Sequence, residues 1–359
     1  MPSQLRHRQV QKKVSKFASG KILNFMMLFK LLRYSVFFLI LIIFSPLIFF
    51  IRFIIKKIKS RDILDKYLEI IFNVKTKIIL VLINYIGVKS SGFLIEHNLV
   101  TYYFKGVKFN INHHFVFTRK TFSLDNTLNN MSKVYNFIDN KIKQPFDTFI
   151  DVGANLGFHS LFVAKKYGKN IKILSLEASK QTYNLFLENL KIQDFYVQNI
   201  IPINKLVYSS SNQNIKFVNN MFGQNHILNE NFYSKKLTYE TYENVSSENV
   251  SSETLFNICK NNNFLNTSSV FVKIDIEGSE YHLFNCLKKI KPQGFIFEVN
   301  TRGEAKKYYK IEEFFGDYLC FDLENFKILN SLEEFSTSIS KIYSRPGKIL
   351  SKDLLMLKR

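Results

Sequence analysis

The chain has 359 residues, enough for one large folded core with accessory segments. Its 50 lysine and arginine residues against 29 acidic residues give a net charge of +21, which favours anionic partners such as a lipid surface, nucleic acid or acidic glycans. The three cysteines, Cys259, Cys286 and Cys320, are too widely spaced for a zinc site and predict buried free thiols rather than disulfides.

The first 33 residues form a basic arm with no acidic residue, and residues 34–51 that follow are uncharged. An uncharged run of this length, at about 1.5 Å per residue, just crosses a bilayer core of about 30 Å. Lys56 and Lys57 lie on its far side, so we predict a membrane helix at residues 34–56. The alternative of a soluble core helix is less consistent with a run that is apolar all round and flanked by charge.

The orientation of this segment is open, because both flanks are basic and the positive-inside rule then gives no direction. Pro46 follows Ser45 within the run and removes a helix hydrogen bond, which predicts a kink. The stretch Lys30 to Lys57 resembles the re-entrant helix of monotopic phosphoglycosyl transferases. A helix that dips in and returns would leave both basic flanks, and the rest of the chain, on the cytoplasmic face; a single span is the alternative.

The segment between the membrane helix and the core has two predicted parts. Residues 57–99 have helical spacing and predict a juxtamembrane linker, in which the apolar stretch 78–88 is too short to span a membrane. Residues 100–145 predict a β-hairpin that turns at Gly106, followed by a helix at 129–143.

The stretch Asp147 to His159 predicts a strand, a glycine turn and a helix, the layout that holds a nucleotide-like ligand at the carboxyl end of a parallel strand. Gly153 permits the sharp bend, and Gly157 is expected to let the helix lie close to the ligand. Asp151, at the strand tip, repels a pyrophosphate and suits a cationic ligand. The spacing Asp-x-Gly-x-x-x-Gly therefore favours S-adenosylmethionine over NAD.

A second strand ends at Glu177, twenty residues after Gly157, where a carboxylate can accept hydrogen bonds from a ribose diol. A third strand is predicted near residues 200–208, with a hairpin partner at 215–218. His226 lies in the polar loop that follows and is a candidate base, although a loop histidine is often only solvated. Residues 240–252, rich in Ser, Glu and Asn, predict a surface insertion.

A fourth strand runs from Val270 into Asp275 and Glu277, with Lys273 on the same face. Acidic residues grouped at the carboxyl edge of a sheet suit proton abstraction or binding of a divalent ion such as Mg²⁺; a solvated strand end is the alternative. A fifth strand carries Glu298 near its tip, and two further strands are predicted at 318–323 and 354–357.

These residues resemble the FkbM-like S-adenosylmethionine-dependent methyltransferases, above all in the motifs Asp151-Val-Gly-Ala-Asn-Leu-Gly157 and Lys273-Ile-Asp-Ile-Glu-Gly-Ser-Glu280. The resemblance implies an α/β, Rossmann-like class I domain over residues 146–359, with a seven-stranded, mostly parallel sheet whose last strand is antiparallel. It also implies O-methylation of a hydroxyl, often on a sugar. The residues it assigns to the cofactor are Asp151, Gly153, Asn155, Gly157 and Glu177.

We therefore expect a membrane-associated O-methyltransferase on the cytoplasmic face, with its basic arm on anionic lipid. The acceptor would be a sugar hydroxyl of a surface glycan or lipid-linked glycan. Asp275 or Glu277 would act as the base or as a metal ligand, with His226 as the further candidate base. An RNA methyltransferase and a non-catalytic, membrane-bound glycan-binding protein are the alternatives, although no aromatic and basic RNA-binding module is apparent and nucleic acid is not an expected partner.

Overall fold

The computed structural model describes residues 100–111, 124–220, 226–227, 245–265, 269–301, 303–344 and 350–359. The basic arm, the membrane segment predicted at 34–56 and the linker predicted at 57–99 lie outside these residues. Among the residues that are described, no helix combines the length and the apolar character needed to span a membrane. The chain divides into two units, Met1–Gly106 and Val107–Arg359.

The described part of the first unit is strand β1 (Val100–Phe104), which ends just before Lys105 and Gly106. Both of these residues have positive φ angles, 46° and 80°, as a tight turn requires. Strand β2 (Val107–Ile111) begins the second unit. The two strands predicted on either side of Gly106 are therefore confirmed.

The second unit alternates strands with helices, as the order of the predicted elements indicated. Its remaining strands are β3 (Thr148–Val152), β4 (Lys172–Glu177), β5 (Ile200–Asn204), β6 (Leu206–Tyr208), β7 (Asn214–Asn220), β8 (His226–Ile227), β9 (Val245–Thr254), β10 (Val270–Ile274), β11 (Gly294–Asn300), β12 (Tyr318–Asp322), β13 (Lys327–Leu329) and β14 (Ser351–Lys358). Its helices are α1 (Leu124–Lys141), α2 (Phe158–Tyr167), α3 (Lys180–Lys191), α4 (Leu255–Asn261), α5 (Phe284–Ile290), α6 (Ala305–Tyr308) and α7 (Leu332–Tyr343).

The main sheet has eight strands in the order β13-β12-β14-β11-β10-β3-β4-β5. Strands β5, β4, β3, β10 and β11 pair in parallel, and β14 pairs antiparallel with both β11 and β12. The antiparallel last strand is therefore confirmed. The predicted number of seven strands is wrong by one, because the short strand β13 folds back on β12 through a turn in which Phe326 has a φ of 57°.

The core lies on both faces of the central strands. Every residue of β3 and β10 is buried, as expected of parallel strands covered by helices on either side. Phe146 packs against Phe271 with 5.0 Å between ring centroids, and Phe149 stacks on Phe271 at 6.4 Å. Cys259, Cys286 and Cys320 are buried free thiols, as predicted.

A second sheet has four strands in the order β6-β9-β7-β8. The single third strand predicted at 200–208 is in fact two: β5 closes the main sheet and β6 joins the second, with Lys205 between them. The hairpin partner predicted at 215–218 pairs with β9 and β8 instead. From Val245 onward, the surface insertion predicted at 240–252 forms strand β9, which pairs with strands on both sides despite its polar composition.

Candidate active site

A cleft opens at the carboxyl edge of the main sheet, where strands β3, β4 and β10 end side by side. This is the point at which the strand order changes direction, the usual place for a ligand in an open α/β sheet. The cleft has about 640 Å³ of space between protein atoms, a volume that includes open solvent at its mouth. It is lined by Val152, Gly153, Asn155, Leu176, Glu177, Ala178, Lys205, Leu206, Val207, Phe217, Asp275, Ile276 and Glu277.

Glu177 is the buried carboxylate of this cleft. Its Oε2 accepts a hydrogen bond from the backbone amide of Asn155 at 2.9 Å, and its Oε1 accepts one from the amide of Ser179 at 2.9 Å. Burial raises the pKa of Glu177 to about 7, although these two amides and the charge of Lys273 act in the opposite direction. Each carboxylate oxygen has a second lone pair, so both can still accept from the two hydroxyls of a ribose.

Gly153 and Asn155 form the turn that follows β3, and both line the cleft. They have positive φ angles of 76° and 52°. A Cβ on Gly153 would lie 1.9 Å from the carbonyl oxygen of Asp275, so only glycine fits between the two strand ends. The backbone amide of Gly153 donates to the carbonyl of Leu176 at 2.9 Å, which ties the turn to β4.

Gly157 has a packing role that was not predicted, and its closeness to the cofactor stays a prediction. It is not among the residues that line the cleft, and a Cβ added there would lie 2.2 Å from the ring of Phe186. The missing side chain therefore makes room for helix α3. Asn189, also on α3, supports the same turn, because its Nδ2 donates to the carbonyl of Leu156 at 2.8 Å.

Asp151 lies below the cleft rather than in its lining. Its side chain is completely buried. Its Oδ2 accepts from the hydroxyl of Ser160 at 2.6 Å, and its Oδ1 lies 3.3 Å from the ammonium of Lys273. Contact of this carboxylate with a cofactor stays a prediction, since its nearest partners belong to the protein.

Asp275 and Glu277 line the cleft on the side of β10, as the sequence placed them. The side chain of Asp275 is 43% exposed, and its Oδ2 lies 3.6 Å from the ammonium of Lys273. Its backbone amide donates to Val152 at 3.0 Å, which extends the pairing of β10 with β3 by one residue. A carboxylate in this position can accept a proton from a ligand in the cleft.

A group of three carboxylates, Asp275, Glu280 and Glu298, has oxygens within 4.8 Å of one another among the described residues. Glu280 is already used, because its Oε1 accepts from the amides of Ile276 and Gly278 and its Oε2 from the hydroxyl of Tyr308. Burial, together with nearby acidic groups, raises the pKa of Glu298 well above its ordinary value. This arrangement suits a shared proton as well as a metal ion, so Mg²⁺ binding stays a prediction.

His226 lies in strand β8, at one edge of the second sheet, where its backbone pairs with Val218. Its role as a base stays a prediction. Another histidine, His159, was not singled out from the sequence: its Nδ1 lies 2.9 Å from the hydroxyl of Tyr135, and burial, followed by the charge of Lys273, lowers its pKa to about 4. His159 is therefore neutral at physiological pH.

The lining on the side of the second sheet was missed in the sequence. Lys205, Leu206 and Val207 follow β5 directly, and Phe217 reaches the cleft from β7. Apolar side chains on this side can enclose a flat heterocycle beside a ribose held by Glu177. The position of Lys205 just after the tip of a third strand could have indicated this lining. It was overlooked because β5 and β6 were predicted as one strand.

The residues of the cleft fit S-adenosylmethionine. The carboxylate of Glu177 suits a ribose diol, the Gly153 turn brings bare backbone to the floor, and Asp275 and Glu277 offer negative charge to a cationic ligand. Three of the four charged residues that line the described part of the cleft are acidic, which disfavours a pyrophosphate.

The family model described as "Methyltransferase FkbM domain" matches residues 151–325. No curated protein sequence matches the chain. P. horikoshii TYW2 in complex with MeSAdo has 13% identity, covering 73% of this chain and 72% of that one, with a TM-score of 0.35.

Two other solved structures are similar at the same low level. The SAM-dependent methyltransferase from Agrobacterium tumefaciens has 12% identity, covering 72% of this chain and 69% of that one, with a TM-score of 0.34. Methyltransferase FkbM from Methylobacillus flagellatus KT has 11% identity, covering 61% and 46%, with a TM-score of 0.32. The assignment rests on the family match over the two motifs and the cleft: the chain carries an FkbM methyltransferase domain and is an S-adenosylmethionine-dependent methyltransferase.

Proposed function

We propose that this methyltransferase methylates a sugar hydroxyl of a surface glycan or lipid-linked glycan at the cytoplasmic face of a membrane. The observation that carries the proposal is the half-exposed carboxylate of Asp275, which lines the same cleft as Gly153 and Glu177. A hydroxyl is a poor nucleophile until its proton is removed. A carboxylate beside the Gly153 turn can accept that proton.

The chain's own residues have three tasks in this reaction. S-adenosylmethionine, when bound, supplies a methyl group already activated by its positive sulfur. Glu177 would hold the ribose, and the Gly153 turn would form the floor under the methionine part. Asp275, or Glu277 beside it, would accept the proton of the acceptor hydroxyl as the new bond forms. Alignment of the acceptor oxygen accounts for much of the rate in such a displacement.

The charges of the cleft support a sugar acceptor over RNA. Glu177, Asp275 and Glu277 face it together with a single lysine, Lys205. Such a rim repels the phosphates of a nucleic acid backbone, whose binding normally depends on lysine and arginine contacts. A sugar without phosphate at its reacting end avoids this repulsion.

The membrane part of the proposal comes from the sequence of residues 1–61, where an uncharged run lies between two basic segments. Each lysine or arginine near an anionic leaflet contributes about 1 kcal/mol of attraction. A re-entrant arrangement would keep the catalytic domain in the cytoplasm, where S-adenosylmethionine is made. The proposal predicts that the full chain stays in the membrane pellet at high salt, and that Leu41→Arg with Phe44→Arg releases it; a wild-type chain in the supernatant would contradict it.

The acceptor is tested with the full chain and methyl-labelled S-adenosylmethionine. Membrane glycans and total RNA from cells that lack the gene are offered as separate acceptors, and mass spectrometry identifies the product. We expect label on one sugar of the glycan fraction, and none with Asp275→Asn. Label on RNA, with unmethylated glycans, would favour the RNA methyltransferase instead.

A further inference from the structure

A row of buried polar side chains crosses three strands directly below the cleft. Lys273 on β10 is the register neighbour of Asp151 on β3, and Asp151 is the neighbour of Ser175 on β4. All three are almost completely buried. Ser160, from helix α2, closes the row, since its hydroxyl donates to Asp151 at 2.6 Å and lies 2.7 Å from the hydroxyl of Ser175.

Lys273 is the one charged group of this row that also contacts the loop after β3, which contains Gly153. Its ammonium donates to the carbonyl oxygen of Gly153 at 2.8 Å. It lies 3.3 Å from Oδ1 of Asp151 and 3.6 Å from Oδ2 of Asp275. Burial works to lower the pKa of Lys273, but the carboxylates of Asp151 and Asp275 outweigh it, and the side chain stays charged.

An ion pair with Asp151 would satisfy the charge of both groups without any contact to the loop. A buried ammonium must nevertheless satisfy three N–H donors, and one of them bonds to the Gly153 carbonyl. The amide of Gly153 donates to the carbonyl of Leu176, and the carbonyl of Gly153 accepts from Lys273. Both backbone polar groups of this residue are therefore held. Because Gly153 lines the cleft with a φ of 76°, the direction of its carbonyl decides which atoms form the floor.

We propose that Lys273 is a positioning residue for cofactor binding. Its ammonium turns the Gly153 carbonyl down into the buried row and so holds the loop in the shape that S-adenosylmethionine needs, without touching the cofactor. The inference rests on the cleft being the cofactor site, but not on the identity of the acceptor. It predicts that the contact to the loop, and not the neutralisation of Asp151, is what binding requires.

Three variants of the full chain separate these roles. Lys273→Met leaves Asp151 buried without a counter-charge, which lowers stability as well as removing the loop contact. The double variant Asp151→Asn with Lys273→Met removes both charges of this pair and should regain much of the lost stability, while the loop contact is still missing. Asp151→Asn alone keeps the loop contact and shows what loss of the Asp151 carboxylate by itself does to affinity. Thermal unfolding reports stability, and titration calorimetry with S-adenosylmethionine reports affinity.

The control is Lys352→Met, because Lys352 is a lysine with only 10% of its side chain exposed, paired with Asp322 at 2.7 Å, that does not line the cleft. We expect affinity to fall at least about tenfold in both Lys273 variants, as for loss of a hydrogen bond from a charged group, and to change less than about twofold in Lys352→Met. Should Lys273→Met fail to fold, the double variant decides.

Affinity of the double variant within about threefold of wild type would overturn the proposal, because neutralisation of Asp151 would then explain Lys273 completely. The outcome is independent of the acceptor experiment, since no acceptor is present. A wild-type chain that does not bind S-adenosylmethionine would instead contradict the assignment of the cleft itself.

Discussion

At the scale of single residues, the cofactor site depends on where carboxylates are buried. Glu177 is buried at a strand tip and held by two backbone amides, whereas Asp275 is 43% exposed in the same cleft. The first environment fixes a carboxylate as a binding group, and the second leaves it accessible for proton transfer. We therefore propose separate roles for two acids of similar chemistry.

Glu177→Ala is expected to weaken S-adenosylmethionine binding at least about tenfold, because both ribose hydroxyls lose their acceptor. The pKa of about 7 adds a pH dependence: below pH 7 the native carboxyl takes up a proton and accepts hydrogen bonds less well, so wild-type affinity should fall as the pH is lowered from 8 to 6. Calorimetry across this range should show the slope disappear in Glu177→Gln. Undiminished affinity in Glu177→Ala would show that the ribose lies elsewhere.

Two glycines with the same φ of 76° allow backbone strain to be separated from steric conflict. An alanine at either position incurs a strain of about 1–3 kcal/mol. At Gly153 the new Cβ would also meet the Asp275 carbonyl at 1.9 Å, whereas at Gly168 nothing lies within 4 Å. Gly153→Ala should therefore abolish S-adenosylmethionine binding and Gly168→Ala should leave it unchanged, as measured by calorimetry on chains shown to be folded. Equal affinities in the two variants would mean that the turn tolerates displacement.

The residue roles that the sequence predicted best are those fixed by position along a strand. Asp275, Glu277 and Glu177 line the cleft because the strand tip can be read from where an apolar run ends. The packing of Phe186 against Gly157 was not predicted, because Phe186 comes from another helix. Such contacts between distant segments leave no local signal.

At the scale of elements, the loop after β10 is built around one buried acid. Glu280 accepts from the amides of Ile276 and Gly278, and Tyr308 donates to its other oxygen at 2.5 Å. This arrangement lets Glu277 adopt a φ of 57° while it lines the cleft. The loop that carries the candidate bases is therefore shaped from beneath by a carboxylate that does not touch the cleft.

Burial raises the pKa of Glu280 to about 7, from 4.5, while its hydrogen bonds act to lower it. The unfolded chain then loses this proton at lower pH than the native chain does, so Glu280 makes the free energy of unfolding fall as pH rises from 4.5 to 7, by at most about 1.4 kcal/mol per pH unit. Denaturant unfolding should show that the free energy of unfolding declines less steeply with pH in Glu280→Gln than in wild type. The exposed control Glu312→Gln should decline as wild type does. Parallel curves for Glu280→Gln and wild type would contradict the assignment.

The alternation of strands and helices was predictable, because each apolar run ends in a polar or glycine turn. The second sheet was not, since β9 is rich in serine, glutamate and asparagine and its strand conformation depends on pairing with β6 and β7. Strand β13 was missed because it has only three residues, too few for an alternating pattern to be recognised. Amino-acid composition predicts strands that are buried, but it does not predict strands that are stabilised mainly by backbone pairing.

At the scale of the whole molecule, charge is divided between two tasks. The net charge of +21 is consistent with an anionic partner, and the first 33 residues carry no acid. The cleft, by contrast, is lined by three carboxylates and one lysine. Basic residues can therefore attract an anionic membrane while the acidic residues of the cleft attract a cationic cofactor.

The central claim is that S-adenosylmethionine binds in the cleft formed by the ends of β3, β4 and β10. A crystal structure of the chain with S-adenosylhomocysteine tests it most directly. The account predicts the ribose hydroxyls on the carboxylate of Glu177, the amino-acid part over the Gly153 turn, and the sulfur facing Asp275. An empty cleft, or a ligand bound at another place in the fold, would contradict it.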